Sequence, residues 1–206
     1  MKSVLISIQP YWVFLIIAKA MGWNIDKEKT IEVRKNFPKD IDWNRLVKIY
    51  CSKDKKSFNR IPKEYQPLMQ KFLGKVAGKW CCDKIYDIKP YFYRPGLLTQ
   101  YECSWKHGEE FDCLSFSEMN SYLLEDNGYG WHISDLKVYD KPKELSEFKF
   151  NCKYAFDDDF RNCYGCDYHY YSNNPSSGIE EYCTCDGLKT LSRPPQSWCY
   201  VESLGE

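Results

Sequence analysis

Hydrophobic residues recur along this chain at the spacing of strands more often than at the spacing of helices. The stretch SVLISI near the N-terminus is largely apolar, which is typical of a buried strand. The stretch LVKIYCSK alternates apolar and polar positions with a period of two, as in a strand with one face in a core. Strands are predicted at residues 3–8, 30–35, 46–53, 75–88 and 131–139, and the fourth of these is long enough to bend, with a bulge at Gly78.

Two other stretches carry the signals of helices. Pro10 suits the first turn of a helix over residues 11–21. The stretch SFSEMNSYLLEDNG predicts a second helix, which Ser117 caps and which Asn127-Gly128 ends. Several strands with two helices predict an α+β fold, built as a small mixed β-barrel with flanking helices.

Length and composition bound the domain organisation. A chain of 206 residues can bury a sizeable core and fits one domain plus an appendage. Its 17 Tyr, 11 Phe and 7 Trp exclude a disordered chain. We predict a barrel domain over residues 1–148 and a Cys-rich tail over residues 149–206, which ends in a returning strand at SWCYV.

The net charge of zero hides a strong asymmetry between the two halves. Residues 1–100 hold 20 Lys and Arg against 9 Asp and Glu, whereas residues 101–206 hold 9 against 20. One interpretation is a basic face that meets a polyanion, with an acidic segment elsewhere. The other is a dipolar protein whose halves attract each other on folding, and charge alone favours neither.

The apolar N-terminal stretch imitates a secretory signal but departs from one. Gln9-Pro10 interrupts it, and no small-x-small cleavage site follows. Its longest apolar run, residues 11–18, is too short to span a bilayer. We therefore predict a strand and a helix inside a cytoplasmic protein that has no membrane partner.

The stretch KEKTIEVRK concentrates charge on one short strand. Because side chains alternate faces along a strand, Ile31 and Val33 are predicted to enter a core while Glu32 and Arg34 point the other way. Glu32 and Arg34 are close enough for a charge-assisted pair or a shared ligand. An ordinary polar outer face is the alternative.

This stretch resembles the ASCH domain family of the PUA-like superfamily, whose fingerprint is G-x-K-x-x-E-x-R. Lys29, Glu32 and Arg34 match the fingerprint, and Lys27 stands where the family has Gly. Downstream, GKVAGKWCCDKI and GYGWHISDLKVYDKPKEL resemble later strands of ASCH-like proteins, many of them from phages and Gram-positive bacteria. The resemblance covers roughly residues 3–148.

The resemblance implies a PUA-like β-barrel with a cleft in which the Lys, Glu and Arg converge. Such domains bind RNA or modified nucleosides, which makes RNA, a nucleotide or a nucleoside the expected partner. Some relatives hydrolyse an acetylated cytidine with a Lys and a Thr of this motif. Glu32 occupies that Thr position here, so an enzyme of the amidohydrolase or ribonuclease type would instead use Glu32 as a general base beside Lys29. A third expectation is a phage protein-interaction module that uses the acidic half of the chain.

The chemistry of the strand suits a nucleic acid ligand. Lys29 and Arg34, with Lys35 at the end of the strand, can hold a phosphate or a base edge. Glu32 can accept a hydrogen bond from an exocyclic amine. The basic loop over residues 52–60 can follow a phosphate backbone, although such loops are more often simply solvated.

Aromatic residues stand at the opening of a later predicted strand. Tyr129, Trp131 and His132 are candidates for stacking on a base. Neighbours on a strand face opposite ways, so at most one of Trp131 and His132 faces the cleft. A core or rim position for Trp131 is the alternative.

Clustered cysteines in the tail predict a structural zinc site. A C-x2-C pair forms a knuckle suited to tetrahedral zinc, and a C-x-C pair follows it in a polar segment with little core of its own. No His-x-Glu pattern accompanies the thiols, so a closed, structural site is expected. Disulfides are the alternative if the protein is secreted. The candidate ligands, five thiols for four positions, are Cys152, Cys163, Cys166, Cys183 and Cys185.

Overall fold

The computed structural model describes residues 2–38, 45–91, 100–105, 111–151, 169–174, 178–183 and 188–203. The helices are α1 (Pro10–Ile17), α2 (Lys55–Phe58), α3 (Gln66–Met69) and α4 (Phe116–Leu123). The strands are β1 (Lys2–Ile8), β2 (Ile31–Arg34), β3 (Arg45–Cys51), β4 (Val76–Cys82), β5 (Ile85–Tyr91), β6 (Gln100–Cys103), β7 (Gly128–His132), β8 (Ser134–Lys143), β9 (Phe148–Asn151), β10 (His169–Asn174), β11 (Gly178–Cys183), β12 (Leu188–Thr190) and β13 (Trp198–Ser203).

The larger sheet has seven strands in the order β12-β9-β13-β1-β3-β4-β8. β1 and β3 run parallel, whereas the other neighbours in this sheet are antiparallel. A parallel pair needs a crossover connection, and here the crossover contains α1 and β2. The chain segment between two central strands therefore supplies both the first helix and the charged strand.

The smaller sheet has four antiparallel strands in the order β2-β7-β5-β6, and β10 pairs with β11 in a separate hairpin. Two chain segments pass between the larger sheet and the smaller sheet. β4 pairs with β8, and their continuations β5 and β7 pair in the smaller sheet. In this way the two segments connect the larger sheet with the smaller one.

The main core lies between the larger sheet and α1, and it reaches the smaller sheet through Trp131, with Ile85 and Tyr129 packed against it. Ile6, Ile16 and Trp80 are almost completely buried there, together with Trp131 from β7. A second cluster packs α4 against the smaller sheet. Both clusters consist largely of aliphatic and aromatic side chains, whose burial is the main favourable contribution to folding.

The mixed α+β class is confirmed, and strands occur in all five predicted regions. Two predicted strands are each divided, because both change sheet partway. Residues 75–88 form β4 and the start of β5, and residues 131–139 belong to β7 and β8. The bulge at Gly78 is confirmed by a register shift between β4 and β8 at that residue. Closure of a PUA-like barrel stays a prediction.

The predicted helix ends need correction. The first helix stops at Ile17 rather than at residue 21, and the chain then turns through Gly22 with a positive φ of 69°. In the second helix Ser115, not Ser117, is the N-cap, because Ser115 and Glu118 form a reciprocal capping box. Its C-cap is Leu124, in the left-handed conformation.

Candidate functional site

Strand β2 separates an apolar face from a charged face, as its alternation predicts. Ile31 and Val33 enter the cluster that packs against α4. Glu32 and Arg34 line a cleft on the opposite side, which Val33 also borders. They are only 5% and 7% exposed, so an ordinary solvated outer face is wrong for this strand.

Lys29, Glu32 and Arg34 form one buried ionic network at the floor of the cleft. The Glu32 Oε1 atom lies 2.9 Å from an Arg34 terminal nitrogen, and the Glu32 Oε2 atom lies 3.5 Å from Lys29 Nζ. Lys29 is 2% exposed. Buried charges need such partners, because removing one member of a buried pair costs about 3–5 kcal/mol.

Backbone carbonyls hold the two cations of the network in place. Lys29 Nζ donates a hydrogen bond to the carbonyl of Asp112, and Arg34 donates to the carbonyl of Ser7 over 2.7 Å. The Nε–H of Arg34 is buried without an acceptor among the described residues, and the Ser52 hydroxyl is likewise buried and unpartnered. Both residues line the cleft, so two unsatisfied polar atoms lie beside the space that a ligand would occupy.

The cleft has a volume of about 650 Å³, within the range of small-molecule sites. β2 and Lys29 form its floor. One wall comes from residues 52–60, around α2, and the other from residues 114–122, around α4. The lining residues are Ser7, Gln9, Trp12, Lys29, Glu32, Val33, Arg34, Ser52, Asp54, Lys56, Ser57, Arg60, Leu114, Ser117, Glu118, Ser121, Tyr122 and Gln196.

Arg60 connects the two walls. Its guanidinium carbon lies 4.1 Å from the ring centre of Tyr11 and 4.8 Å from that of Trp12, and a terminal nitrogen lies 2.9 Å from Glu118 Oε1. Glu118 Oε2 accepts hydrogen bonds from the backbone and the hydroxyl of Ser115. Burial alone would raise the pKa of Glu118, but these hydrogen bonds and the charge of Arg60 lower it below its usual value.

The other residues predicted to bind ligand lie away from this cleft. Lys35 is exposed just beyond β2. Tyr129 packs edge-on against Phe37, with ring centres 4.6 Å apart. None of Lys35, Tyr129, Trp131 and His132 is among the residues that line the cleft.

Trp131 and His132 have other surroundings. Trp131 is 1% exposed in the main core, which is the core position considered as its alternative. His132 lies with its Nδ1 atom 2.6 Å from a carboxylate oxygen of Asp83. The two face different ways along β7, as strand geometry requires.

Sequence reasoning missed Trp12 and Glu118 as residues of the cleft, and it proposed Ser52 and Arg60 only as part of the basic loop over residues 52–60. Trp12 was assigned only to a helix, and no periodic signal shows that residues 52–60 fold against α1 and β2. One signal was available for Glu118. The S-x-x-E spacing from Ser115 is that of a capping box, which fixes where the Glu118 carboxylate lies.

Most of the predicted metal ligands lie outside the described residues. These are Cys152, Cys163, Cys166 and Cys185, whereas Cys183 ends β11. Within the described ranges no three His, Cys, Asp or Glu residues are grouped so that they could hold a metal ion. The described helices also include none with the length and apolar character needed to cross a bilayer.

No protein-family model matches this chain, and no curated protein matches it. One similar solved structure is the crystal structure of a mutant of the ZmASCH protein from Zymomonas mobilis. It shares 16% sequence identity with this chain at a TM-score of 0.40, and the match covers 70% of this chain and 77% of that one. A likeness at this level assigns no family, so the ASCH resemblance remains a prediction from the motif.

Proposed function

We propose that the protein binds RNA or a nucleotide in this cleft, with Lys29, Glu32 and Arg34 as its floor. The observation that carries the proposal is the buried ionic network beneath an open cleft, in which the Nε–H of Arg34 meets no acceptor among the described residues. A guanidinium N–H suits a base acceptor, and a carboxylate suits an exocyclic amine. The fingerprint Lys29-x-x-Glu32-x-Arg34 adds the ligand class that the ASCH resemblance implies.

The rest of the cleft supports a planar, polar ligand. Trp12 lines it and offers an aromatic face of the kind on which bases stack. Lys29 Nζ lies 5.3 Å from the centre of that ring, so the ring connects the floor to the wall. Hydrogen-bonding groups below an aromatic face are the usual arrangement where a protein reads a single unstacked base.

The test is direct binding of mixed RNA oligomers and of nucleotides, measured by fluorescence anisotropy and calorimetry over a salt series. Wild-type protein is expected to bind, and Arg34→Lys is expected to weaken binding at least tenfold, because Lys keeps the charge but loses the Nε–H. RNA binding should also fall with rising salt, since phosphate contacts release counterions.

Lys89→Ala is the matched control for that experiment. Lys89 is an exposed cation on β5 and does not line the cleft, so its loss should leave affinity unchanged. Thermal melting of each variant separates loss of binding from loss of fold. Absence of binding by folded wild-type protein to every RNA and nucleotide would overturn the proposal.

An enzyme acting on a modified nucleoside or RNA is the second candidate, because Glu32 is a buried carboxylate in the cleft, 3.5 Å from Lys29. In that case Glu32 would take a proton from the attacking water or hydroxyl. Glu32→Gln removes the base and keeps the shape. Chromatography of nucleoside and RNA products then separates the two: turnover lost in Glu32→Gln supports an enzyme, and altered affinity without turnover by wild type supports binding alone.

We also infer that structural zinc holds the Cys-rich tail. The described hairpin supports this, because His169 at the start of β10 pairs in register with Cys183 at the end of β11. Cys163 and Cys166 shortly precede His169, and Cys185 shortly follows Cys183. In the sequence, one cysteine pair therefore precedes the hairpin and the other lies at its end.

A further inference from the structure

The two cations at the floor of the cleft already have partners within the protein itself, and they share the single carboxylate of Glu32. Lys29 is held by Glu32 and a backbone carbonyl, and Arg34 by Glu32 and another carbonyl. Among the described residues, the Nε–H of Arg34 and the hydroxyl of Ser52 are the cleft groups that are buried without a partner. Single hydrogen-bonding groups of this kind suit the polar edge of a base better than a phosphate, which seeks several donors.

Arg60 at the cleft mouth has the opposite character. Its side chain is 41% exposed, and within the described residues one of its nitrogens meets Glu118. Its guanidinium carbon lies over the rings of both Tyr11 and Trp12, which hold the side chain at the cleft mouth. A guanidinium that is held by aromatic rings and remains partly exposed is suited to bidentate phosphate recognition.

Trp12 lies between these two regions. Lys29 Nζ at the floor is 5.3 Å from the ring centre, and the Arg60 guanidinium carbon at the mouth is 4.8 Å from it. A base beside Trp12 with its edge toward Arg34 would therefore leave its sugar and phosphate near Arg60. The lining side chains hold four Lys or Arg against three Asp or Glu, which suits a small anion rather than a long polyanion.

We propose that Arg60 is the phosphate-recognising residue of the cleft, and that the ligand is a nucleoside monophosphate or a terminal nucleotide bound base-inward. This inference rests on the proposed function of the same cleft. Glu118 holds Arg60 in place while the cleft is free and gives way, wholly or at one nitrogen, when a phosphate arrives.

The experiment compares the four ribonucleosides with their 5′-monophosphates by calorimetry, at fixed salt and pH. Wild type is expected to prefer at least one monophosphate over its nucleoside about tenfold or more. Arg60→Gln is expected to abolish that preference, so that nucleoside and monophosphate bind the variant with similar affinity. Glu118→Gln keeps the guanidinium and removes its acidic competitor, so the preference should persist or grow.

Lys55→Gln is the matched control. Lys55 is an exposed cation at the start of α2, five residues before Arg60, and it does not line the cleft. Its loss therefore tests whether any positive charge near this wall favours phosphate. If Lys55→Gln lowered the phosphate preference as much as Arg60→Gln does, the inference would be overturned. Loss of the phosphate preference in Glu118→Gln would also overturn it.

Other outcomes separate this inference from the proposed function. If wild type binds nucleosides and monophosphates equally well, the role of Arg60 in phosphate recognition is overturned. The proposal that this cleft binds RNA or a nucleotide is then unaffected. Binding of RNA oligomers without any mononucleotide overturns the small-ligand inference alone. Binding of nothing overturns both.

Discussion

Burying Lys29, Glu32 and Arg34 costs desolvation free energy, because each side chain is more than nine-tenths buried. Taking paired charges out of water often costs as much as their attraction returns, and apolar residues of similar volume can be equally stable. Stability alone therefore does not account for three ionic side chains at the floor of an open cleft. Their arrangement is better explained by a ligand that uses the remaining polar atoms.

A second charged pair gives a prediction at the residue scale. Burial raises the pKa of Asp83, but its hydrogen bond with His132 and the charge of that ring outweigh burial and hold the pKa below its usual 3.8. The folded state thus favours ionised Asp83. The resulting stability is fully present above about pH 4 and is lost as the pH falls through the folded pKa.

Asp83→Asn should therefore lower the free energy of unfolding at pH 7 by on the order of 0.5 kcal/mol, since the pair is partly exposed. It should also lose less stability than wild type between pH 4 and pH 3. Urea denaturation at several pH values measures both. Asp87→Asn, which alters a 60% exposed carboxylate on β5, is the control. Parallel pH curves for wild type and Asp83→Asn would contradict the assignment.

At the scale of elements, the N-terminus of α4 matters to the cleft. Ser115 caps the helix, and its bonds to Glu118 also fix the carboxylate that holds Arg60. Ser115→Ala should cost about 1 kcal/mol of stability, the usual value for losing an N-cap. Thermal or urea denaturation checks this.

Ser121→Ala is the comparison for that variant, because Ser121 is exposed in the same helix and does not cap it. Alanine has the higher helix propensity, so this change should be neutral or slightly stabilising. Equal destabilisation by Ser115→Ala and Ser121→Ala would show that the capping box contributes nothing.

Elements were predicted well where a local pattern defines them. The alternation of TIEVRK assigns Ile31 and Val33 to one side and Glu32 and Arg34 to the other, and the structure agrees. The corners between the sheets were not foreseen. Asp83 lies between β4 and β5, yet the pattern over residues 75–88 continues through it, because a bent strand and two strands in different sheets have the same periodicity.

The composition of the cleft was only half predicted for a related reason. Lys29, Glu32 and Arg34 are local to one strand, so their shared face follows from strand geometry. Arg60 joins them through tertiary packing over Tyr11 and Trp12, which no local pattern records. Trp131 shows the converse: an aromatic at the mouth of a strand looked suited to stacking, but it belongs to the core that joins the sheets.

At the scale of the whole molecule, the proposed zinc would hold separate parts of the tail together. Protein purified without chelator is expected to contain about one zinc per chain, measured by mass spectrometry of the metal. Cys163→Ser should lower that content and loosen the tail, seen as faster proteolysis. Cys199→Ser should change neither, since Cys199 packs beside the small core around Val201 and Phe148.

Two results would count against that zinc. One is metal-free protein that takes up no zinc when it is supplied. The other is that the tail cysteines of the native protein are alkylated only after reduction, as measured by the mass added on alkylation. That result would favour disulfides.

The pairing of β1 with β13 has a consequence for synthesis on the ribosome. The hydrogen bond from the Ser3 hydroxyl to the Val201 carbonyl joins residues 198 positions apart, and β1 lies between β3 and β13 in the finished sheet. β1 is therefore synthesised well before β13, the second of its two neighbours. Until β13 is made, one edge of an apolar strand stays open to other nascent chains. The protein's yield should thus depend more on holding chaperones during synthesis than on the stability of the finished fold.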